Sequence, residues 1–284
     1  MKNNKTKKSS RSNLLLILIF LVGLSLLLYP TVADWWNSFH ASRAISTYDE
    51  SIARMSTAEF DALRQEASDW NAALGARNAG FAALTDAERA QYETILNVTD
   101  TGLMGYIDIP TIRVKLPIYH GTSDSVLQVA VGHIDSSSLP IGGESTHCVL
   151  SGHRGLPSAR LFTDIDRLEE GDLFLLHTLD ETLTYEVDQI LTVLPEDVSA
   201  LGITAGEDLC TLVTCTPYGV NTHRLLVRGH RVATDDTDSR VISEARRFEP
   251  ITVMPFVAAP LLLALLIWLL VSSGKKRNRK GDSQ

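Results

Sequence analysis

Two uncharged apolar stretches, Leu14 to Ala33 and Ile251 to Val271, constrain this chain more than any other feature. A bilayer core takes about 20 helical residues to cross, and each stretch is long enough. Lys2, Lys5, Lys7, Lys8 and Arg11 precede the first, while Lys275, Lys276, Arg277, Arg279 and Lys280 follow the second. Basic flanks stay on the cytoplasmic side, so both termini are expected inside and residues 34–250 outside. Thr31-Val32-Ala33 also resembles a small-residue cleavage site after an apolar run. We read the first stretch as an uncleaved anchor; cleavage there would change the number of anchors and not the side on which the soluble part works.

The exterior segment holds 33 Asp and Glu against 16 Lys and Arg, a net charge of −17 with histidines neutral. That field repels nucleic acid and anionic polymers, and it keeps an exterior domain soluble. Three cysteines, Cys148, Cys210 and Cys215, are too few for a disulfide framework and leave at least one thiol over.

Texture divides the chain into a cytoplasmic tail (1–12), a transmembrane helix (13–33), an extracellular helical region (34–100), a strand-rich domain (101–233), a linker (234–250), a second transmembrane helix (251–272) and a basic cytoplasmic tail (273–284). In the helical region Ile45, Tyr48, Ile52 and Met55 recur at helical spacing, and Ser56-x-x-Glu59 is a capping box before Phe60, Leu63, Ala67, Trp70 and Leu74. After a polar break at 75–84, Thr85-x-x-Glu88 caps another helix expected to run to about Leu96. From Met104 the chain turns to short β-branched and aromatic runs bounded by Gly, Pro, Asp and Ser. Strands are expected at 104–109, 112–119, 125–131, 146–151, 172–178, 182–194, 209–215 and 224–232, with a helical turn near Ser158 to Leu168. Such a set suggests a closed barrel or a sandwich.

Cys215 closes the buried-strand pattern Asp208-Leu-Cys-Thr-Leu-Val-Thr-Cys and is followed by Thr216-Pro217-Tyr218-Gly219, which must turn. Nine residues on, Arg224 opens the next apolar run, so a hairpin can bring its guanidinium beside the thiol. A fixed cation there favours a thiolate and can hold an oxyanion. His153, in Gly152-His153-Arg154-Gly155, leaves the strand ending at Ser151, but spacing alone also admits His120, His133 and His223. A lone buried thiol is inert and a lone Arg is an ion-pair partner; their conjunction is what points to chemistry. Cys148 lies five residues before His153 and Cys210 five before Cys215, so parallel neighbouring strands would set these two thiols side by side. No C-x-x-C or H-x-x-x-H spacing offers a metal site, and no phosphate cradle is present.

The segment from Thr211 to Gly229, Thr-Leu-Val-Thr-Cys-Thr-Pro-Tyr-Gly-Val-Asn-Thr-His-Arg-Leu-Leu-Val-Arg-Gly, resembles the active-site segment of sortases, specifically the pilus-building class C enzymes. Gly105-Tyr-Ile-Asp-Ile-Pro110, Leu116-Pro-Ile-Tyr-His-Gly121, Ser137-Ser-Leu-Pro-Ile-Gly-Gly143 and Ser151-Gly-His-Arg-Gly-Leu-Pro157 resemble the same class in the same order. The resemblance covers about residues 35–232. It implies a mainly β, closed eight-stranded barrel with N-terminal helices, and it selects His153, Cys215 and Arg224 as the catalytic residues. It further implies attack of the Cys215 thiolate on an LPXTG-like sorting signal, a thioacyl-enzyme, and transfer to an acceptor lysine of the next pilin, with no cofactor. The implied partners are pilins or surface proteins carrying such signals, together with the membrane. Other readings are a housekeeping-type sortase that anchors proteins to the cell wall and an inactive sortase-like binding module. The C-terminal span and the class C motifs argue against the first, and the intact Cys, His and Arg against the second.

Class C enzymes carry an Asp-Pro-aromatic lid over the site, whereas here the region reads Asn78-Ala79-Gly80-Phe81. Phe81 keeps the aromatic and the Asp is missing, so weak occlusion of Cys215 is expected. The exterior segment holds fifteen arginines and one lysine, Lys115, against seven lysines and three arginines in the tails. An enzyme whose thioester is resolved by lysine amines would gain from that scarcity, because arginine stays protonated and is no nucleophile.

Overall fold

The computed structural model describes residues 4–77, 81–234, 260 and 262–264. The chain divides into two units, residues 1–35 with 246–284, and residues 36–245. Helix α1 (Asn4–Ile52) is, among the described residues, the one helix long and apolar enough to cross a membrane. Most of the second apolar stretch lies outside the described residues.

Residues 36–245 hold the end of α1, helices α2 (Thr57–Ala76) and α3 (Asp86–Tyr92), and eight strands. The strands are β1 (Leu103–Ile109), β2 (Val114–His120), β3 (Val131–His133), β4 (Thr146–Ser151), β5 (Leu173–Thr178), β6 (Glu181–Val193), β7 (Asp208–Thr216) and β8 (His223–Val232). They close into a barrel in the order β1-β2-β3-β4-β7-β8-β6-β5. Both capping boxes form: Ser56 and Thr85 accept from the backbones of Glu59 and Glu88, whose carboxylates bond back. One side of α2, carrying Ala67 and Trp70, joins Tyr92 and Ile95 in the same core as the barrel interior. Tyr48 ties α1 to the barrel by donating to Met104 O at 3.0 Å and accepting from Leu179 N–H at 2.8 Å.

Alternation along three neighbouring strands creates two different surfaces. Cys148, Leu150, Cys210, Leu212, Leu225 and Val227 belong to the central core, while Val149, Val213 and Leu226 form a second cluster with Leu201. Successive strand residues face opposite ways, so Cys215 and Arg224 continue the row of Val213 and Leu226.

Three expectations shift. Helix α3 stops at Tyr92 rather than near Leu96, where φ of 61° is left-handed backbone that no α-helix continues through. The strand expected at 125–131 is a short helix, α4 (Asp124–Leu127), followed by β3 from Val131. Val126 and Val129 imitate strand patterning there, while Ser123 at the N-cap position and Asp124 in the first turn favour a helical start. The strand expected from 112 begins at Val114, because Pro110–Ile112 is a 3₁₀ turn closed by Arg113 at φ 52°.

Candidate active site

The site is assembled at the end of the β4-β7-β8 sheet. β4 and β7 run parallel in the register Cys148↔Cys210 to Ser151↔Val213. His153 and Cys215 therefore each lie two residues beyond the same matched pair. β7 and β8 run antiparallel, with Cys215 directly opposite Arg224. Side chains facing each other across such a ladder have Cβ atoms about 5 Å apart, which brings a guanidinium within reach of a thiol.

Local packing dictates how each segment is held. Gly152 N–H donates to Val213 O at 3.0 Å, and Thr214 Oγ1 donates to Gly152 O at 2.7 Å. A Cβ on Gly152 would lie 2.7 Å from Phe162 Cδ2, so only glycine lets the chain pass that ring. Phe162 N–H bonds His153 O at 3.1 Å. Gly155 has φ of +77° and lies under the Tyr218 ring, where a Cβ would come within 2.8 Å of Cε2. Arg224 Nη1 donates to His223 O at 3.1 Å and to Asn221 O at 3.4 Å, and among the described residues no carboxylate pairs with it. Cys215 is half-buried, in contrast to the fully buried Cys148 and Cys210, and all three thiols are free.

The competing histidines are engaged elsewhere. His120 has Gly102 O at 2.9 Å and Ile95 O at 2.8 Å from its two ring nitrogens, and burial lowers its pKa. His133 is buried between Tyr92 Oη at 2.9 Å and Ser138 O at 2.8 Å. His223 Nδ1 meets Thr222 Oγ1 at 2.9 Å. Among the described residues the His153 ring has no hydrogen-bond partner, which leaves both nitrogens available to a substrate.

Phe81 packs, partly buried, on the cluster of Val149, Leu201, Val213 and Leu226, one pair along from Cys215 and Arg224 on the same face. Asn78, Ala79 and Gly80 lie outside the described residues. Sequence reasoning gave no role to Arg154 or Thr216, although both stand beside candidate residues; Arg154 Nη1 donates to Thr216 Oγ1 at 3.2 Å. Their connection has no signature in spacing, because it depends on the parallel pairing of strands far apart in the chain. Among the described residues no group of three His, Cys, Asp or Glu side chains is gathered for a metal ion.

The family model described as a sortase domain matches residues 107–232. The crystal structure of sortase C1 from Streptococcus agalactiae is 52% identical, covers 68% of this chain and 100% of its own, and superposes with a TM-score of 0.66. The chain belongs to the sortase family. Sortases are cysteine transpeptidases, and solved structures similar to this sortase are of the sortase C class. A second, the Clostridium perfringens sortase C with its C-terminal cell wall sorting motif, is 44% identical over 68% of this chain and 100% of its own, with a TM-score of 0.60. Sortase D of Bacillus subtilis (strain 168) is 33% identical over 45% of this chain and 63% of its own length, so this sortase spans less than two thirds of that relative.

Proposed function

We propose that this sortase cleaves an LPXTG-like sorting signal and joins the resulting acyl group to a lysine of the next pilin, outside the cell, with Cys215, His153 and Arg224 as its working groups. The observation that carries this reading is the convergence of one strand edge: Arg224 faces Cys215 in the β7–β8 ladder while parallel β4 delivers His153 to the same end.

The Cys215 thiolate attacks the threonine carbonyl carbon of the signal, and the carbonyl π-pair moves to oxygen. Arg224, free of any described carboxylate, stabilises that oxyanion. As the tetrahedral centre collapses, the C–N bond breaks and His153 gives its proton to the departing amine. A thioester on Cys215 remains. The neutral ε-amine of an acceptor lysine then attacks it, passes a proton to His153, and expels the thiolate with an isopeptide bond formed. The solved sortase C carrying a sorting motif supports the substrate class, and the sortase C likeness supports a pilin as the acyl donor.

Mass spectrometry of Cys215 adducts, collected from cells after acid quenching, tests the proposal. Cys215 acylated by a pilin through the pilin's new C-terminal threonine is the expected adduct. A wall-anchored surface protein would transfer the enzyme to wall anchoring, and absence of any adduct would leave a binding module.

A further inference from the structure

We propose that Arg154 is a positioning residue that keeps the His153 segment in register with Cys215, acting as a side-chain rung where the main-chain ladder between β4 and β7 ends. The assignment rests on the reading of Cys215 as nucleophile and His153 as the acid for the leaving amine.

Main-chain pairing of β4 with β7 ends at Ser151↔Val213, and the bonds of Gly152 carry it one residue further. Beyond that point the segments part. Residues 152–154 belong to no strand, and Thr216 is followed by Pro217, which has no N–H to donate. Arg154 and Thr216 each stand one residue past a candidate catalytic side chain, and the 3.2 Å bond from Nη1 to Oγ1 joins them. The other end of the guanidinium is held too. Arg154 Nη2 pairs with Asp166 Oδ2 at 2.5 Å, on the 3₁₀ turn Ile165–Arg167. One planar group thus fastens the His153 segment to the Cys215 segment and to a turn in the connection between β4 and β5.

The guanidinium is the buried end of its ion pair: the Arg154 side chain is 10% exposed and that of Asp166 43%. Its Nε is buried without a partner, and desolvating such a donor costs stability. The His153 ring has no described hydrogen bond to orient it, so its direction depends on where the backbone of 152–155 is held. A misplacement of about 1 Å can cost roughly 10²-fold in rate. Lysine at 154 would keep the charge and lose the fork that reaches two partners at once.

The parent, Thr216→Val, Arg154→Lys and His153→Ala are compared on two substrates with the same LPXTG-type acyl part. One is a peptide amide, whose departing amine needs a proton; the other is an aryl thioester, whose departing thiolate needs none. In Thr216→Val and Arg154→Lys, the single-turnover acylation rate, read as release of the leaving group before the shared acyl-enzyme is resolved, should fall roughly ten- to a hundredfold on the amide and stay within about threefold on the thioester. Thr216→Val leaves the Arg154–Asp166 pair intact, so it remains informative even where Arg154→Lys folds poorly. Equal losses on both substrates, or an unchanged amide rate in Thr216→Val, would overturn the positioning role. His153→Ala checks the premise separately: without the amide-specific loss there, the acid assignment falls and the positioning role falls with it.

Discussion

Cys215 and Arg224 occupy one rung of the β7–β8 ladder, and the consequences of altering either follow from what each supplies. Cys215→Ala removes the only half-exposed thiol and should abolish polymer formation, measured as pilin multimers on denaturing gels. Arg224→Ala should lower kcat by on the order of 10²-fold or more, as the loss of an oxyanion donor does, and a change confined to KM would show positioning instead. Cys148→Ala and Cys210→Ala should leave polymerisation largely intact, since both thiols face the core. Phe81 has a seat beside this rung without the acidic partner of a complete lid. Withdrawing a half-buried Phe costs about 1.4 kcal/mol, so Phe81→Ala should speed alkylation of Cys215 by no more than roughly tenfold. A hundredfold acceleration from a slow parent rate would show that Phe81 alone is an adequate lid.

At the scale of strands, the expectation from equal offsets is met: β4 and β7 are parallel neighbours and Cys148 pairs with Cys210. Burial pushes the Cys210 thiol well above its usual range, and its hydrogen-bonded neighbour Cys148 adds to the shift. Sealed from solvent, the pair should stay reduced, so residues 34–250, denatured without reductant, should titrate three free thiols; one would reveal a bond between them. On the other side of the barrel His177 of β5 stacks on Tyr106 of β1 at 4.3 Å. Burial first and Lys115 second lower its pKa to about 4. The unfolded chain then binds more protons than the folded one between about pH 6.5 and pH 4, so stability is held above that window and lost as pH falls through it. His177→Gln should flatten urea midpoints across those pH values, on the order of 2 kcal/mol after solvent screening. Strand positions and capping boxes were legible because alternation and side-chain caps are local. The short helix at Asp124 was not, since Val126 and Val129 read equally well as a strand, and the end of α3 was set by one left-handed residue that no composition announces.

At the scale of the whole molecule, the lone lysine of residues 34–250 gains a location. Lys115 lies on β2, four places around the ring of eight strands from β8, and its ammonium sits 4.6 Å from the Tyr106 ring centroid. The enzyme's own nucleophile of the required kind is thus held on the wall opposite the one that carries Arg224. A lysine placed on the exposed β7–β8 connection, by Val220→Lys, should become acylated by a sorting-signal peptide during turnover, detectable as a mass increase. A variant as unmodified as the parent would show that lysine scarcity has another cause. The parallel meeting of β4 and β7 has one more consequence, for the newborn chain. The sequence between His153 and Cys215 includes all of β5 and β6, so these two side chains meet only through a long-range contact made late and slowly. Until the barrel closes the two side chains stay apart, and folding of the barrel itself arms the enzyme.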